Sequence, residues 1–154
     1  MPLEQPLRLF SVPPSQRKSF LAGILSLWEA SVRASHAFLA EGDILALRPC
    51  VASAVLGVPW LVLAGDNNRL AGFMGGGGQK LEMLFVRPKR FRQGIGTRLV
   101  RHAVERLGVR EVDCNEQNPG ALAFYERMGF RTIGRTAADS AGNPFPILAM
   151  RLPD

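Results

Sequence analysis

Apolar residues in the middle of the chain follow the pattern of a strand that leads into an amphipathic helix. Residues 84–86 are continuously apolar, as in a strand buried on both faces, and Pro88 ends pairing because it lacks a backbone donor. From Ile95 to Leu107 the apolar positions recur with helical spacing, and Gly108 is the expected C-terminal stop. The helix therefore begins at a turn that contains two glycines.

Apolar runs and period-two alternation predict further strands along the chain. The predicted strands cover residues 7–12, 60–64, 69–74, 111–114, 130–135 and 147–152. The second and third of them form a hairpin around a turn at 66–68, because Asp and Asn tolerate left-handed backbone geometry. The run from Gly75 to Gly78 leads on to the central strand, and we interpret it as a flexible connecting loop without a binding role.

Helical spacing predicts a long first helix and another helix that begins near residue 119. Five apolar residues share one face of the first helix, namely Leu21, Ile24, Leu25, Trp28 and Val32. In the other helix Asn118 is a good N-cap, Pro119 takes the first helical position and Gly129 ends the helix. Residues 41–49 are interpreted as a connection, and residues 51–56 as a short helix or turn.

Together these elements predict one mixed α/β domain, of the α+β kind, over residues 1–154. A chain of 154 residues suits a single domain, and 47% hydrophobic with 21% charged residues is ordinary for a globular protein. No segment approaches the length of a membrane span, and the N-terminus lacks the basic and apolar blocks of a signal peptide. We therefore expect a cytoplasmic protein that does not bind membranes.

Cysteine, histidine and net charge narrow the chemistry further. Cys50 and Cys114 lie far apart without a pairing framework, so we expect two reduced, buried thiols. Together with His36 and His102 they do not make a convincing metal site, and no metal is expected. The net charge of +6 fits an anionic ligand, but no nucleic-acid-binding motif or basic patch with interleaved aromatics accompanies it.

The turn before the central helix has the features of an anion site. The first amides of a helix are unpaired, and glycines at 94 and 96 let a ligand approach the backbone closely. Five cations surround the turn: Arg87, Lys89, Arg90, Arg92 and Arg98. A dinucleotide fingerprint would need a third glycine where Leu99 stands, and the chain contains no Gly-Lys-Ser/Thr of a Walker loop. We infer a phosphate-bearing ligand of another kind.

Two motifs in order resemble the GNAT superfamily of N-acetyltransferases. The strand, the Arg-Gln-Gly-Ile-Gly turn at 92–96 and its helix resemble the acetyl-CoA-binding motif of that family. A second stretch resembles the helix that follows in that family. The matching residues, at the family's spacing, are Asn115, Asn118, Ala121, Phe124, Tyr125, Gly129 and Phe130. Residues 28–39 further resemble a YjaB-type bacterial subgroup. The resemblance implies a mostly antiparallel sheet, flanked by helices and splayed at its central strands.

The resemblance also implies a cofactor site for acetyl-CoA. Backbone groups of the central strand would pair with the pantetheine arm, and the turn amides would hold the pyrophosphate. The implied cofactor-binding residues are Leu84, Phe85, Val86, Phe91, Arg92, Gln93, Gly94, Ile95, Gly96, Thr97, Asn118 and Tyr125. Phe91 departs from the family, which usually has Gln or Arg three residues before the first glycine, so the backbone amides would carry more of the binding.

Candidate catalytic residues follow from the same resemblance, which implies direct acetyl transfer to a primary amine. Tyr125 matches the position of the general acid, or it packs on its helix and only hydrogen-bonds the cofactor. Glu82 is a candidate base, or else a solvent-facing carboxylate at a strand end. His36 is another candidate base, although a hydrogen-bonded structural role is the favoured interpretation. Trp28, His36 and Glu82 would border the acceptor, and Trp28 also suits the core.

Several alternatives remain open at the level of sequence. A non-catalytic acyl-CoA-binding sensor or interaction module would keep the phosphate turn but would not need an acid at Tyr125. The alternative interpretation, a nucleic-acid-binding domain, is supported by the net charge alone. The acceptor is either a small molecule or a protein lysine, and the resemblance leaves a homodimer open.

Overall fold

A seven-stranded sheet forms the centre of the computed structural model, which describes residues 6–66 and 69–154. Its strands are β1 (Arg8–Ser11), β2 (Trp60–Asp66), β3 (Arg69–Gly77), β4 (Lys80–Val86), β5 (Glu111–Asn115), β6 (Arg131–Thr136) and β7 (Ile147–Arg151). They lie in the order β1-β2-β3-β4-β5-β7-β6. Every neighbouring pair is antiparallel except β4 and β5, which are parallel. The predicted mixed, mostly antiparallel fold is confirmed.

Helices cover both faces of the sheet and create two apolar cores. The helices of the described residues are α1 (Arg17–Ser35), α2 (Glu41–Gly57), α3 (Ile95–Leu107) and α4 (Pro119–Arg127). Successive residues of β2 serve opposite cores: Val62 and Ala64 belong to the core under α3 and α4, whereas Leu61 and Leu63 belong to the core under α1 and α2. This strand is apolar throughout because both of its faces are buried.

The elements around the glycine turn form as predicted. Helix α3 begins after Gly94, whose φ of 80° is left-handed, and it ends at Gly108, whose φ is 73°. Its buried stripe of Ile95, Leu99, Val100 and Ala103 packs on the sheet. The predicted strands and the first and last helices are all present with small shifts at their ends. Of the predicted hairpin turn, residues 67 and 68 lie outside the described residues.

One long helix, α2, replaces the predicted connection and short helical turn. It runs from Glu41 to Gly57 with Pro49 in its interior. Pro49 and Leu45, the residue whose carbonyl it leaves unbonded, are both exposed, so water can satisfy that carbonyl. The helix starts where the Ala40 amide donates to the Asp43 carboxylate at 2.9 Å. The prediction was wrong because the proline lies on the solvent face.

A buried arginine ties the end of α2 to the start of α1. Arg17 is 1% exposed, and its guanidinium donates to the carbonyls of Val12 at 3.1 Å, Val55 at 3.2 Å and Val58 at 2.6 Å. Val55 lies in the last turn of α2 and Val58 directly follows the helix, where carbonyls have no partners within the helix and carry a partial negative charge. The contact fixes α1 and α2 against each other on one face of the sheet.

The glycine run belongs to strand β3 and is not the predicted flexible loop. Gly75, Gly76 and Gly77 are paired in the sheet, and only Gly78 turns, with a φ of 56°. A Cβ on Gly76 would stand 2.2 Å from the Lys80 carbonyl oxygen and 2.7 Å from the Trp60 ring. These glycines are needed because neighbouring backbone and side chains occupy the space of a side chain.

Two smaller expectations also need correction. Cys50 is exposed on α2, whereas Cys114 is buried as predicted. Residues 84–86 contact both cores but are only half-buried, because β5 leaves their edge. Within the described residues, no helix has the length and hydropathy needed to cross a membrane.

Candidate active site

Strands β4 and β5 separate and open a gap in the sheet. They pair only at Lys80 with Glu111 and at Leu81 with Val112. Beyond these pairs β4 continues to Val86 without a β5 partner, so its edge amides and carbonyls face the gap. The splay implied by the resemblance is confirmed. An extended ligand can pair with this edge as a missing strand would.

A cavity of about 440 Å³ runs from the start of α3 through this gap to the end of α1. It is lined by Ser31, Ser35, His36, Leu84, Phe85, Val86, Arg90, Phe91, Arg92, Gly94, Ile95, Gly96, Thr97, Asn118, Gly120, Ala121, Phe124, Tyr125 and Arg127. With the exception of Gln93, every residue expected at the cofactor lies on this wall. Gln93 instead accepts a hydrogen bond from Arg90 at 2.8 Å.

Free amides mark the end of the cavity at α3. The first hydrogen bond of the helix runs from the Arg98 amide to the Gly94 carbonyl at 3.0 Å, so the amides of residues 95–97 precede the ladder. Arg92 and Gly94 both have left-handed backbone, with φ of 64° and 80°. No side chain caps the helix. The amides therefore remain available to an anion, as expected from the sequence.

The cations near the turn have different roles. Arg90 forms a two-pronged ion pair with Asp66, at 2.9 and 3.1 Å, and holds the pKa of that carboxyl below its usual range. Arg87 donates to the Leu70 carbonyl and Arg98 to the Leu7 carbonyl. Arg92 makes no hydrogen bond or ion pair to another described residue, and it lines the cavity. Its charge is therefore available to a ligand.

The start of α3 lies close to α4 behind the turn. A Cβ on Gly96 would lie 3.4 Å from the Phe124 ring, so the glycine lets the start of α3 approach α4. The Asn118 side chain caps α4 by accepting a hydrogen bond from the Ala121 amide at 3.2 Å. This cap is confirmed, and the Asn118 side chain also lines the cavity.

Tyr125 lies at the inner end of the cavity. It is 7% exposed, and its ring packs against Phe124 and Phe130 with centroid distances of 5.2 and 5.8 Å. Its hydroxyl makes no hydrogen bond to another described residue. Burial, with a smaller contribution from nearby Cys114, raises the pKa of the phenol well above its usual range. The phenol is therefore a protonated donor at neutral pH.

Cys114 lies beside Tyr125 on β5 and is chemically quiet. The pKa of its thiol is raised to about 11, chiefly by burial and also by the charge of Glu126. The thiol donates weakly to the Asn115 carbonyl. Since the thiolate is the nucleophilic form, Cys114 is not an activated nucleophile.

His36 terminates α1 at the junction of three cavities. Its Nδ1 lies 2.8 Å from the Ser35 Oγ, and its ring packs against Phe38 and Phe85. Burial lowers the pKa of the imidazole, so the neutral form dominates at pH 7. The residue has the structural hydrogen bond favoured from the sequence, and its ring also lines the candidate active site.

Glu82 lies at a β-bulge between β3 and β4. Gly76 pairs with Leu81 and Gly75 with Met83, which leaves Glu82 as the extra residue. Its side chain is exposed at the edge of a second cavity of about 130 Å³, which His36 and Tyr125 also line. Asp113 in the same cavity is paired with Lys80 at 2.7 Å.

A third cavity, of about 170 Å³, lies between α1, α2 and the loop that precedes β7. It is lined by Trp28, Val32, His36, Phe38, Leu39, Leu47, Val51, Phe85, Asn115, Asp139 and Phe145. Trp28 is 2% exposed, so it is a core residue, as expected, and also a wall of this cavity. The Asp139 carboxylate is occupied by its own loop, where it accepts from the Ala141 and Asn143 amides.

Sequence reasoning did not single out several lining residues as site residues. Ser31 and Ser35 are one helical turn apart on α1 and face the main cavity, while Gly120, Phe124 and Arg127 come from α4. The two serines are four residues apart, just before His36, and this spacing could have indicated that they share a helix face. Arg127 lines the cavity because α4 lies close to α3. This tertiary contact has no local sequence pattern that could have predicted it. Among the described residues, no group of three or more His, Cys, Asp or Glu side chains could hold a metal ion.

Comparisons with known proteins agree with this geometry. A family model described as "Acetyltransferase (GNAT) domain" matches residues 58–132. The chain is 35% identical over 130 residues to the peptidyl-lysine N-acetyltransferase YjaB of Salmonella typhimurium, which covers 84% of this chain and 90% of the relative.

Solved structures share the fold over nearly the full length. The solution structure of apo-form YjaB from Escherichia coli has a TM-score of 0.83 at 29% identity, covering 96% of this chain and 97% of that one. PaiA N-acetyltransferase from Thermoplasma acidophilum, solved with coenzyme A, has a TM-score of 0.64 at 15% identity, covering 96% and 99%. The similarity to YjaB across most of both chains establishes the family, and the chain belongs to the GNAT acetyltransferases and is an acyltransferase.

Proposed function

We propose that this protein transfers the acetyl group of acetyl-CoA directly to a primary amine. One observation carries the proposal: a single cavity joins the free amides of α3, the unpaired edge of β4 and the Tyr125 hydroxyl. These are the groups needed for a phosphate, an extended amide-bearing arm and a thiol leaving group. They occur in the order in which coenzyme A carries them.

The residues present fit coenzyme A at each point. The amides of residues 95–97 and the Arg92 guanidinium would hold the pyrophosphate. The edge of β4 at residues 84–86 would pair with the amides of the pantetheine arm, and the Asn118 side chain lies across the gap. Phe91 is 39% exposed at the cavity mouth, where its ring offers an apolar surface to the nucleotide end.

Tyr125 would supply the proton that the departing thiolate needs. As the amine nitrogen bonds to the thioester carbon, the carbon–sulfur bond breaks and the sulfur takes up the phenol proton. Burial keeps the phenol protonated at neutral pH, and it also raises the proton affinity of a thiolate that forms beside it. Without a hydrogen bond to another described residue, the hydroxyl is free to point along the cavity.

The proposed acceptor is the side-chain amine of a lysine. The related YjaB proteins are peptidyl-lysine N-acetyltransferases. In this chain the third cavity is small and mainly apolar, which suits the methylene stem of a lysine, and His36 lies on its wall. Glu82, exposed at the bulge, would attract the cationic amine before it is deprotonated.

Initial-rate kinetics with acetyl-CoA and an N-terminally blocked lysine peptide test this proposal. Direct transfer requires both substrates to be bound together, so we expect double-reciprocal lines that intersect. Mass spectrometry of the enzyme with acetyl-CoA alone should show no covalent acetyl adduct at the buried Cys114. Parallel lines together with such an adduct would contradict direct transfer and indicate an acetyl-enzyme intermediate.

A further inference from the structure

All three cavities described above have His36 on their walls. Through the first it faces Tyr125 and the edge of β4, and through the third it faces the apolar acceptor cavity. The imidazole therefore lies where the donor and acceptor paths meet. A group that removes a proton from an incoming amine has to lie at such a junction.

Hydrogen bonding around Ser35 determines which ring nitrogen of His36 carries the proton. The Ser35 hydroxyl lies 2.8 Å from the Ser31 carbonyl and 2.8 Å from His36 Nδ1. A carbonyl only accepts, so the single hydroxyl proton goes to Ser31. His36 Nδ1 must then be the donor to Ser35 Oγ. In the neutral ring, Nε2 consequently keeps its lone pair.

Charged and titratable groups from each neighbouring element line the cavities that His36 borders. Glu82 and Asp113 come from β4 and β5, Asp139 from the loop before β7, Cys114 from β5, Tyr125 from α4, and Arg90, Arg92 and Arg127 from the phosphate end. Of these, Asp113, Asp139 and Arg90 have partners of their own. Burial is what lowers the pKa of His36, and it favours the neutral ring that a base needs.

We propose that Nε2 of His36 is the general base of the acetyl transfer, and that Ser35 is a positioning residue that fixes the tautomer. This inference rests on the proposed function. The lysine enters as the neutral amine, and Nε2 takes the one proton that its nitrogen loses as it bonds to the thioester carbon. Tyr125 gives one proton to the departing sulfur, so the step is balanced without a further reactant.

Glu82 is the rival base. It is exposed at the bulge, where water competes for its oxygens, whereas His36 is half-buried between aromatic rings. Glu82 borders the second cavity only, while His36 borders all three. The position of His36 thus satisfies both requirements, contact with the donor cavity and contact with the acceptor cavity.

Nitrogen NMR of histidine-labelled protein tests the tautomer without any acceptor. The chain has two histidines, so His102→Asn on α3 is the matched control and assigns the His36 signals. We expect His36 to carry its proton on Nδ1 and to titrate below the ordinary value of about 6.5. In Ser35→Ala, which leaves Nδ1 without its acceptor, a mixture of the two tautomers should appear.

Kinetics of His36→Asn test the catalytic role. Asn keeps a donor toward Ser35 but has no basic nitrogen in place of Nε2. With acetyl-CoA and a blocked lysine peptide, we expect kcat to fall on the order of 100-fold and the acid limb of the pH profile to disappear. The Kd for acetyl-CoA should change less than about twofold, and His102→Asn should retain wild-type kinetics.

Each outcome decides between the alternatives. An Nε2-protonated His36, or a His36→Asn enzyme with nearly full kcat and an intact acid limb, would overturn the base while leaving the proposed function standing. Loss of the acid limb in Glu82→Gln instead would assign the base to Glu82. A wild type that does not bind acetyl-CoA would overturn the proposed function and the base with it. If acetyl-CoA binds but no lysine peptide is acetylated, the lysine acceptor and the base would both be overturned, whichever tautomer His36 adopts.

Discussion

At the scale of single residues, burial sets the protonation state of the groups that face the cavity. Tyr125 and Cys114 both have raised pKa values because water is excluded from them, and both are therefore neutral at physiological pH. His36 is also held neutral, since burial lowers the pKa of a cationic acid. The same desolvation thus leaves a proton on the phenol and removes one from the imidazole.

Replacing Tyr125 by Phe should reduce kcat by a factor on the order of 100 to 10,000, the usual range for a lost general acid. Stability should hardly change, because the hydroxyl makes no hydrogen bond to another described residue and the ring packing is kept. Steady-state kinetics with a thermal melt measure both effects. A Tyr125→Phe enzyme with wild-type kcat would show that the phenol is not the acid.

Thiol labelling should distinguish the two cysteines. At pH 8 a disulfide reagent should modify one thiol per native chain, because Cys50 is exposed while Cys114 is 3% exposed with a pKa of about 11. Its thiolate forms only as pH rises toward that pKa. In denaturant both thiols should react. Cys50→Ser is the control, and rapid labelling of that native variant would contradict the buried position of Cys114.

At the scale of elements, two assignments show what local sequence patterns can and cannot predict. Helix α3 was predictable because its apolar spacing and its two terminal glycines all indicate the same helix. Helix α2 was not, because Pro49 indicates a helix break unless its solvent-facing position is known. Strand β3 includes glycines that would suggest a loop, but the reason for them is the Trp60 ring and the Lys80 carbonyl. Such contacts come from other segments and have no local signature.

Gly76→Ala should therefore lower the free energy of unfolding by about 3 kcal/mol, since its Cβ would overlap the Lys80 carbonyl oxygen and neither strand can shift freely. The matched control is Gly134→Ala on the edge strand β6, where a Cβ would meet only the Ala149 Cβ at 3.9 Å. That variant should be unchanged or about 0.5 kcal/mol more stable. Urea unfolding measures both, and equal stabilities of the two variants would contradict the close packing at Gly76.

At the scale of the whole molecule, the site exists because the sheet is divided. Strands β2, β3 and β4 are held between the two cores, while β5 and β7 pair with each other and diverge from β4. Helix α1 reaches one side of the resulting gap with His36, and α3 and α4 reach the other with their N-termini. Most of the cavity wall was predictable from sequence because its residues fall within two motifs. Ser31, Ser35 and Arg127 join it only through this long-range arrangement.

The most direct test of the account is calorimetric titration of acetyl-CoA into the wild type and Gly94→Glu. A glutamate at Gly94 would meet open space, although the left-handed backbone strains it by about 1–2 kcal/mol, and it would place a carboxylate at the free amides of α3. Gly108→Glu is the matched control, with similar backbone geometry and equally open space at the other end of the same helix.

We expect the wild type and Gly108→Glu to bind acetyl-CoA alike. Binding to Gly94→Glu should weaken at least about 100-fold, which corresponds to about 2.8 kcal/mol. Equal affinities of all three proteins would place the pyrophosphate elsewhere. A wild type that releases no heat and binds no acetyl-CoA in a parallel equilibrium dialysis would contradict the central claim that this cavity is a coenzyme A site.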